Sequence, residues 1–145
     1  MTLRKSVILF VVLLIGLFVF RYLDAVKNEQ PNEVSLTTKT DYHVKSEDLL
    51  DSFISNEELA NKMYVEKTIE VEGIVKEVTF LNNRYTVLLQ GNGSYTCIMC
   101  DMKEDQVAQV QTLAEGSSVV LKGICKGFLM DAILLNCVLV KKTNE

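Results

Sequence analysis

The order of strand-like and helix-like segments predicts a mainly β fold, a five-stranded Greek-key barrel of the OB type, in the C-terminal part of the chain. Five strand segments follow one another within about 75 residues, each marked by alternating apolar and polar residues or by flanking turn residues. One internal helix is predicted between the third and fourth strands, and further helices precede the first strand. This order is the layout of an OB-fold. An apolar run near the N-terminus predicts one transmembrane helix before the barrel.

Two helices are predicted at the start of the barrel domain. Ser46 supplies a capping hydroxyl, and the acids Glu47 and Asp48 follow it in the first turn. The stretch Ser55–Glu58 matches a capping box, in which a Ser hydroxyl and a Glu carboxylate satisfy free backbone amides. Apolar residues recur at helical spacing after both starts and predict helices that cover the core: Leu49, Leu50, Phe53, Ile54, Leu59, Ala60 and Met63.

Five strands are predicted after these helices. A two-residue repeat begins at Thr68, where apolar residues alternate with Glu70, Glu72 and Lys76. Asn82-Asn83 and Gly91-Asn92-Gly93 supply turns. A helix ahead of Gly116 follows from the spacing of Val107, Val110 and Leu113. The predicted elements are, in order, a strand that begins at Thr68, strands over Arg84–Gln90 and Tyr95–Asp101, the helix within Lys103–Ala114, and strands over Ser117–Lys126 and Ile133–Lys141.

The N-terminal segment predicts a membrane anchor over residues 1–26. Val7–Phe20 has no polar side chain, and a helix over residues 3–23 would be about 31 Å long, about the thickness of the hydrocarbon core of a bilayer. A cleavable signal peptide begins in the same way. The nearest cleavage site, Leu23-Asp24-Ala25, has a bulky Leu where a small residue is preferred, which favours a retained anchor over a cleaved signal.

Charges flanking the apolar run predict its orientation. Arg4 and Lys5 precede it without a nearby acid, whereas basic residues beyond it are mixed with Asp24 and Glu29. The positive-inside rule then predicts a cytoplasmic N-terminus in a single-pass membrane protein. The C-terminal domain is therefore expected outside the cytoplasm, in the periplasm if the source is a bacterium with two membranes.

Composition divides the rest of the chain into a linker and one domain. Residues 27–45 are polar, contain the only proline, Pro31, and are predicted to form a linker. Residues 46–145 number about 100, enough for one compact core and not two.

The part of the chain after the apolar run is acidic. Two of the 15 Lys and Arg residues precede the run, which leaves 13 basic residues against 19 Asp and Glu residues, a net charge of −6. Binding to a phosphate backbone depends mostly on Lys and Arg, so this balance disfavours a general nucleic-acid binder.

The chain resembles the tRNA-anti-like OB-fold domains of bacterial exported and membrane-anchored proteins. The resemblance covers Ser46 to Val140 and implies the fold. The family's name records a likeness to anticodon-binding domains, and it brings no catalytic residues. The positions that carry the resemblance are mainly structural: Asn56, Glu57, Ala60, Asn61, Tyr64, Lys67, Ile69, Glu70, Val71, Gly73, Val75, Gly116, Lys122, Gly123, Cys125, Gly127, Leu134, Leu135 and Cys137.

A candidate ligand site follows from the surface that OB-folds use, namely strands two and three with the loops that flank them. The aromatic and basic residues near this surface could stack a base or sugar and pair a phosphate. Tyr85 shares its parity with Val87 and Leu89, so the alternative is that it belongs to the core. The predicted site residues are Arg84, Tyr85, Tyr95, Lys126 and Phe128.

Four cysteines are candidates for disulfides. Cys97 and Cys100 have a two-residue gap, but in a strand this separation places their side chains on opposite faces. Cys125 and Cys137 share parity with apolar neighbours and are expected inside. Buried free thiols and a structural disulfide both remain open, and three full pairings are possible. No metal site is predicted, because a second close Cys pair is missing.

Three functional hypotheses remain. The leading one is a membrane-anchored, extracytoplasmic OB-fold binding module without catalytic activity or cofactor, which engages a protein or an envelope ligand. The second is an oligonucleotide-binding OB-fold protein, which predicts a basic groove. The third is a thiol redox or metal-binding protein, which predicts an exposed, acidic thiol. The sequence contains no phosphate-binding glycine loop, no His-Glu metal pair and no nucleophile elbow.

Overall fold

The computed structural model describes residues 13–21, 34–93 and 95–143 of the chain. Contacts divide the chain into two units, Met1–Glu33 and Val34–Glu145. In the first unit, residues 13–21 are helical. Within the described ranges, no helix combines the length and the apolar character needed to span a bilayer. The predicted span 3–23 extends beyond the described residues on both sides of the helical segment.

The second unit is a mainly β barrel, as the sequence predicts. Strands β2 to β6 close in the order β2-β3-β4-β6-β5, and β5 pairs again with β2. The β4–β6 pair is parallel, whereas the other pairs of the barrel are antiparallel. This closure is the topology of a five-stranded OB-fold. The elements are β1 Tyr42–Lys45, α1 Ser46–Ser55, α2 Glu57–Tyr64, β2 Thr68–Leu81, β3 Arg84–Gln90, β4 Cys97–Met102, a 3-10 turn Glu104–Gln106, α3 Val107–Val110, β5 Ser118–Phe128 and β6 Ala132–Thr143.

The hairpin between β2 and β3 turns at Asn82-Asn83, as predicted. Both residues have positive φ, 50° and 64°, the conformation that a two-residue type I′ turn requires. Asn tolerates this conformation because its short side chain hydrogen-bonds locally. Because the turn is tight, the pairing between the two strands continues up to it, and β2 runs from Thr68 to Leu81.

Part of the segment that we predict as a linker is folded onto the barrel. Residues Tyr42–Lys45 form the extra strand β1, which pairs in parallel with β2. Val34 is fully buried in a small cluster with Ile124 and Val138. We name residues 34–41 the strap. Its sequence is polar and has no periodicity, which is why composition alone assigns it to the linker.

A buried ion pair fastens the strap to the barrel. Lys122 on β5 donates from Nζ to the carbonyl oxygens of Leu36 and Thr38, each at 3.0 Å, and lies 3.0 Å from Oε1 of Glu70 on β2. Thr40 Oγ1 donates to the same carboxylate at 2.7 Å. Burial alone would raise the pKa of Glu70, but these hydrogen bonds and the positive charge of Lys122 outweigh it and lower the pKa.

The two predicted helices form, but their caps differ from the prediction. Ser46 is the first residue of α1 and is buried, and Lys45 occupies the N-cap position without a side-chain hydrogen bond. The predicted capping box at Ser55 is wrong. Asn56 caps α2 instead, and its Oδ1 accepts a hydrogen bond from the amide of Leu59 at 3.0 Å. A Ser that ends one helix is not free to cap the next.

The helix predicted within Lys103–Ala114 is also shorter than expected. It consists of the 3-10 turn and the four-residue α3, and only Val110 of α3 is buried. Gly116 has φ of 85°, a left-handed conformation that suits the chain reversal before β5. Among the residues predicted to cover the core, Ile54 and Leu59 are exposed, whereas Leu49, Leu50, Phe53 and Ala60 are buried.

Candidate functional site

Three outward-facing apolar side chains lie in register across the barrel wall. Met99 on β4 pairs with Leu88 on β3 and, on its other side, with Ile133 on β6. The adjacent rung, Val87 opposite Cys100, is buried in the core. Because successive side chains of a strand alternate between faces, the Met99 rung points to the outside.

The hairpin tip that leads into β6, the strand of Ile133, carries two further exposed apolar side chains. Leu129 and Met130 connect β5 to β6 and are 84% and 82% exposed. The amide of Leu129 donates to the carbonyl oxygen of Asp131 at 3.2 Å, and Oδ1 of Asp131 accepts a hydrogen bond from the amide of Cys97 at 2.7 Å. The tip is therefore tied to the first residue of β4.

We name Leu88, Met99, Ile133, Leu129 and Met130 the outer apolar face. Its strands β3 and β4 are the second and third strands of the barrel, and its hairpin is the loop between the fourth and fifth. OB-folds bind ligands at this location. Exposing a group of apolar side chains to water is unfavourable. An exposed apolar surface on a folded domain is therefore typical of a binding surface.

The two basic residues of the predicted ligand site are engaged in ion pairs. Arg84 Nη2 lies 2.8 Å from Oδ2 of Asp101 on the neighbouring strand. Burial raises the pKa of Asp101, and the positive charge of Arg84 only partly offsets this effect. Lys126 Nζ lies 2.8 Å from Oε2 of Glu66. Each cation therefore already has a carboxylate partner.

Two of the three predicted aromatic residues contribute to packing. Tyr85 packs against the core, in agreement with its parity, and its ring lies 4.6 Å from that of Phe80. Phe128 stacks on Phe53 with a centroid distance of 5.6 Å and an interplanar angle of 11°. Tyr95 is 94% exposed and is the aromatic residue of the predicted set that is available to a ligand.

The five predicted residues do not form one constellation. Arg84 and Tyr85 are on β3, whereas Lys126 and Phe128 are on β5, and these strands are not neighbours in the barrel. The sequence analysis does not predict the outer apolar face, because its residues come from separate segments of the chain that only strand pairing brings together. Leu88 does carry a signal, since it is an apolar residue on the polar side of its strand.

The four cysteines are free thiols in the structure. Cys97 pairs with the exposed Gln90 and Cys100 with the buried Val87, so the two lie on opposite faces of β4, as predicted. Cys125 and Cys137 lie in the core, also as predicted. Burial raises the pKa of Cys125 and, more strongly, that of Cys137, whose thiol also neighbours that of Cys100.

Among the described residues, candidate metal ligands do not come together. Within residues 13–21, 34–93 and 95–143, no three His, Cys, Asp or Glu side chains cluster closely enough to hold a metal ion.

The chain is similar to several solved structures. A candidate nucleic acid-binding lipoprotein from Klebsiella pneumoniae is 20% identical, with a TM-score of 0.56 over 68% of this chain and 91% of that one. The Stn1-Ten1 complex of S. pombe matches at 10% identity and a TM-score of 0.44, over 54% of this chain and 59% of that one. Asparaginyl-tRNA synthetase from Pyrococcus horikoshii matches at 15% identity and a TM-score of 0.42, over 55% of this chain and 21% of that one.

Sequence comparison identifies the family. No curated protein matches the chain. The tRNA_anti-like family model matches residues 1–139, which include nearly all of the barrel. The structure supplies the closed five-stranded barrel that the resemblance implies. The chain belongs to the tRNA_anti-like family.

Proposed function

We propose that this protein is a membrane-tethered, extracytoplasmic binding module without catalytic activity, and that its outer apolar face docks a protein of the cell envelope. The observation that carries this proposal is the row Leu88, Met99 and Ile133, which the exposed hairpin tip extends. The tip is positioned by the hydrogen bond between Cys97 and Asp131.

A protein ligand fits the chemistry of this surface. The centre of a protein–protein interface is depleted of charge and enriched in large apolar side chains, among them Met. Met suits such a surface because its unbranched side chain adapts to different partner shapes. Burying Leu129 and Met130, which water now surrounds, would contribute favourably at roughly 25 cal/mol per Å² of apolar area removed from water.

An oligonucleotide ligand is the second candidate, and the description of the Klebsiella pneumoniae lipoprotein favours it. The charges of this chain argue against it, because Arg84 and Lys126 are paired with acids and the chain has net charge −4. Fluorescence titration with short single-stranded RNA and DNA at low salt separates the two candidates. Saturable binding that weakens steeply with added salt would favour the oligonucleotide.

The membrane tether rests on the apolar run Val7–Phe20 and the basic residues before it. A reporter fused after Glu145 tests the compartment. We expect activity from a reporter that works only outside the cytoplasm, and activity from a cytosolic reporter would contradict the proposed location.

A pair of matched variants tests the docking surface. Met99→Glu places a charge in the centre of the outer apolar face, whereas Leu59→Glu places one on an exposed apolar position of α2. After chemical cross-linking in cells, we expect Met99→Glu to lose the protein partners that the wild-type chain retains. Leu59→Glu should retain them. Equal loss in both variants, or loss in neither, would contradict docking at this face.

A further inference from the structure

One thiol lies beside a lysine on the outside of the barrel. Lys76 Nζ donates a hydrogen bond to Sγ of Cys97 at 3.3 Å. Lys76 is on β2 and Cys97 is on β4, so the contact crosses over β3, where Gln90 is the register partner of Cys97. The pair therefore joins two strands that are not hydrogen-bonded neighbours.

The backbone brings Lys76 to this position. The register between β2 and β3 shifts between Val75 and Glu77, and Lys76 is the extra residue in this bulge. A bulge re-aims the side chain of the inserted residue and increases the local twist. Lys76 also lines an open cavity of about 390 Å³ beside Gln90 and Glu115.

Cys97 differs from the other three cysteines. Cys100, Cys125 and Cys137 belong to the core cluster and are fully buried, whereas Cys97 has the outward parity of its strand and is 5% exposed. Cys97 is therefore the least shielded of the four thiols from solvent. Its backbone is also held in place, because its amide donates to Asp131.

We propose that Lys76 and Cys97 form an oxidant-sensitive pair that closes into a covalent sulfur–nitrogen bond. A peroxide oxidises the Cys97 thiol to a sulfenic acid and is itself reduced to water or an alcohol. The Lys76 ammonium gives up one proton to solvent, the resulting amine attacks the sulfur, the S–O bond breaks, and the oxygen leaves as water with a second proton from the nitrogen. The product is a sulfenamide, and the chain has lost two hydrogen atoms overall.

The bond would alter the surface next to the outer apolar face. The Gln90–Cys97 rung is the next rung on the same face as that of Leu88 and Met99, and the inward-facing Leu89–Ile98 rung lies between them. A bond from Cys97 to Lys76 ties β2 to β4 beside this rung and holds the bulge in one conformation. External thiols reverse the bond, because they attack the sulfur and release the amine.

To test this proposal, the full chain is treated with hydrogen peroxide, and its tryptic peptides are mapped without prior reduction. Cleavage after a bonded Lys76 is blocked, so the expected product is peptide 68–84 joined to peptide 85–103, with two hydrogens fewer than the sum of the two peptides. Dithiothreitol should separate them. Lys76→Arg is the matched control, because it keeps the donor and the charge but has no nucleophilic amine.

The Lys76→Arg variant distinguishes the sulfur–nitrogen bond from simple oxidation of Cys97. In Lys76→Arg we expect no joined peptide, and dimedone should instead trap the sulfenic acid of Cys97 several-fold more than in the wild-type chain. Cys97→Ser should give neither product. The proposal is overturned if peroxide leaves Cys97 unmodified in the folded wild-type chain, or if dimedone traps it equally in the wild type and in Lys76→Arg. Melting curves before treatment establish that each variant is folded.

Discussion

Lys122 and Glu70 form an ion pair under the strap, with 3.0 Å between Nζ and Oε1 and both side chains largely removed from water. The remaining Lys122 hydrogen bonds go to carbonyl oxygens of the strap. The pair therefore connects two barrel strands to the strap that precedes β1. Removing one member would leave the other buried without its partner, which is more costly than leaving the pair intact.

Lys122→Met should destabilise the domain strongly. Because the substitution removes the cation from the largely buried Glu70 carboxylate and leaves two carbonyl groups without their donor, we expect a loss of about 3 kcal/mol in the free energy of unfolding. Lys126→Met is the matched control, since its pair with Glu66 is more exposed and should contribute less than about 1 kcal/mol. Urea unfolding of both variants measures the difference, and similar losses would contradict the structural role of Lys122.

Glu70 should make stability depend on pH. Its pKa is lowered below the ordinary value of 4.5 in the folded chain, so the unfolded chain binds the proton more tightly. The contribution to stability is therefore fully present above about pH 4.5 and is lost as the pH falls through the lower, folded pKa. Denaturant titrations should show Glu70→Gln less stable than the wild type at neutral pH. This difference in the free energy of unfolding should become smaller in acid. A difference that becomes larger in acid would contradict this linkage.

The strap should belong to the folding unit. A fragment that begins at Val34 retains the buried Val34 side chain and both carbonyl acceptors of Lys122, whereas a fragment that begins at Ser46 loses them together with β1. We expect a lower urea midpoint for the 46–145 fragment than for the 34–145 fragment. Equal midpoints would instead support a domain that begins at Ser46, the boundary that composition suggests.

Two aromatic residues of the predicted ligand site should differ in their effect on stability. Phe128 stacks on the buried Phe53, so Phe128→Ala should lower the free energy of unfolding by about 2 kcal/mol. Tyr95 is exposed, so Tyr95→Ala should change it by less than about 0.5 kcal/mol. Thermal melts of both variants measure this difference. If Phe128→Ala leaves the free energy of unfolding unchanged, Phe128 would again be a candidate ligand contact.

Local patterns predict the barrel well, because each strand and the Asn82-Asn83 turn are encoded by neighbouring residues. The same patterns place Tyr85, Cys125 and Cys137 inside, where the structure has them. The strap could not be predicted, since its burial depends on Lys122, more than 80 residues further along the chain.

The candidate surface was harder to predict for the same reason. Met99 becomes part of an apolar row only after β4 pairs with β3 on one side and β6 on the other. Likewise, the sequence alone suggests that Arg84 is a cation available to a ligand. Its ion pair with Asp101 becomes evident only once the pairing of β3 with β4 is known. Properties that depend on long-range pairing are not encoded in a local repeat.

Site-specific photo-cross-linking in intact cells tests the docking surface most directly. A photoreactive phenylalanine replaces Met99 in the full chain, and the same residue replaces Leu59 on α2 as the control. We expect a discrete adduct from position 99 that protease digests and nuclease leaves intact, and no adduct from position 59. An adduct that nuclease removes, or equal adducts from both positions, would contradict a protein-docking role for the outer apolar face.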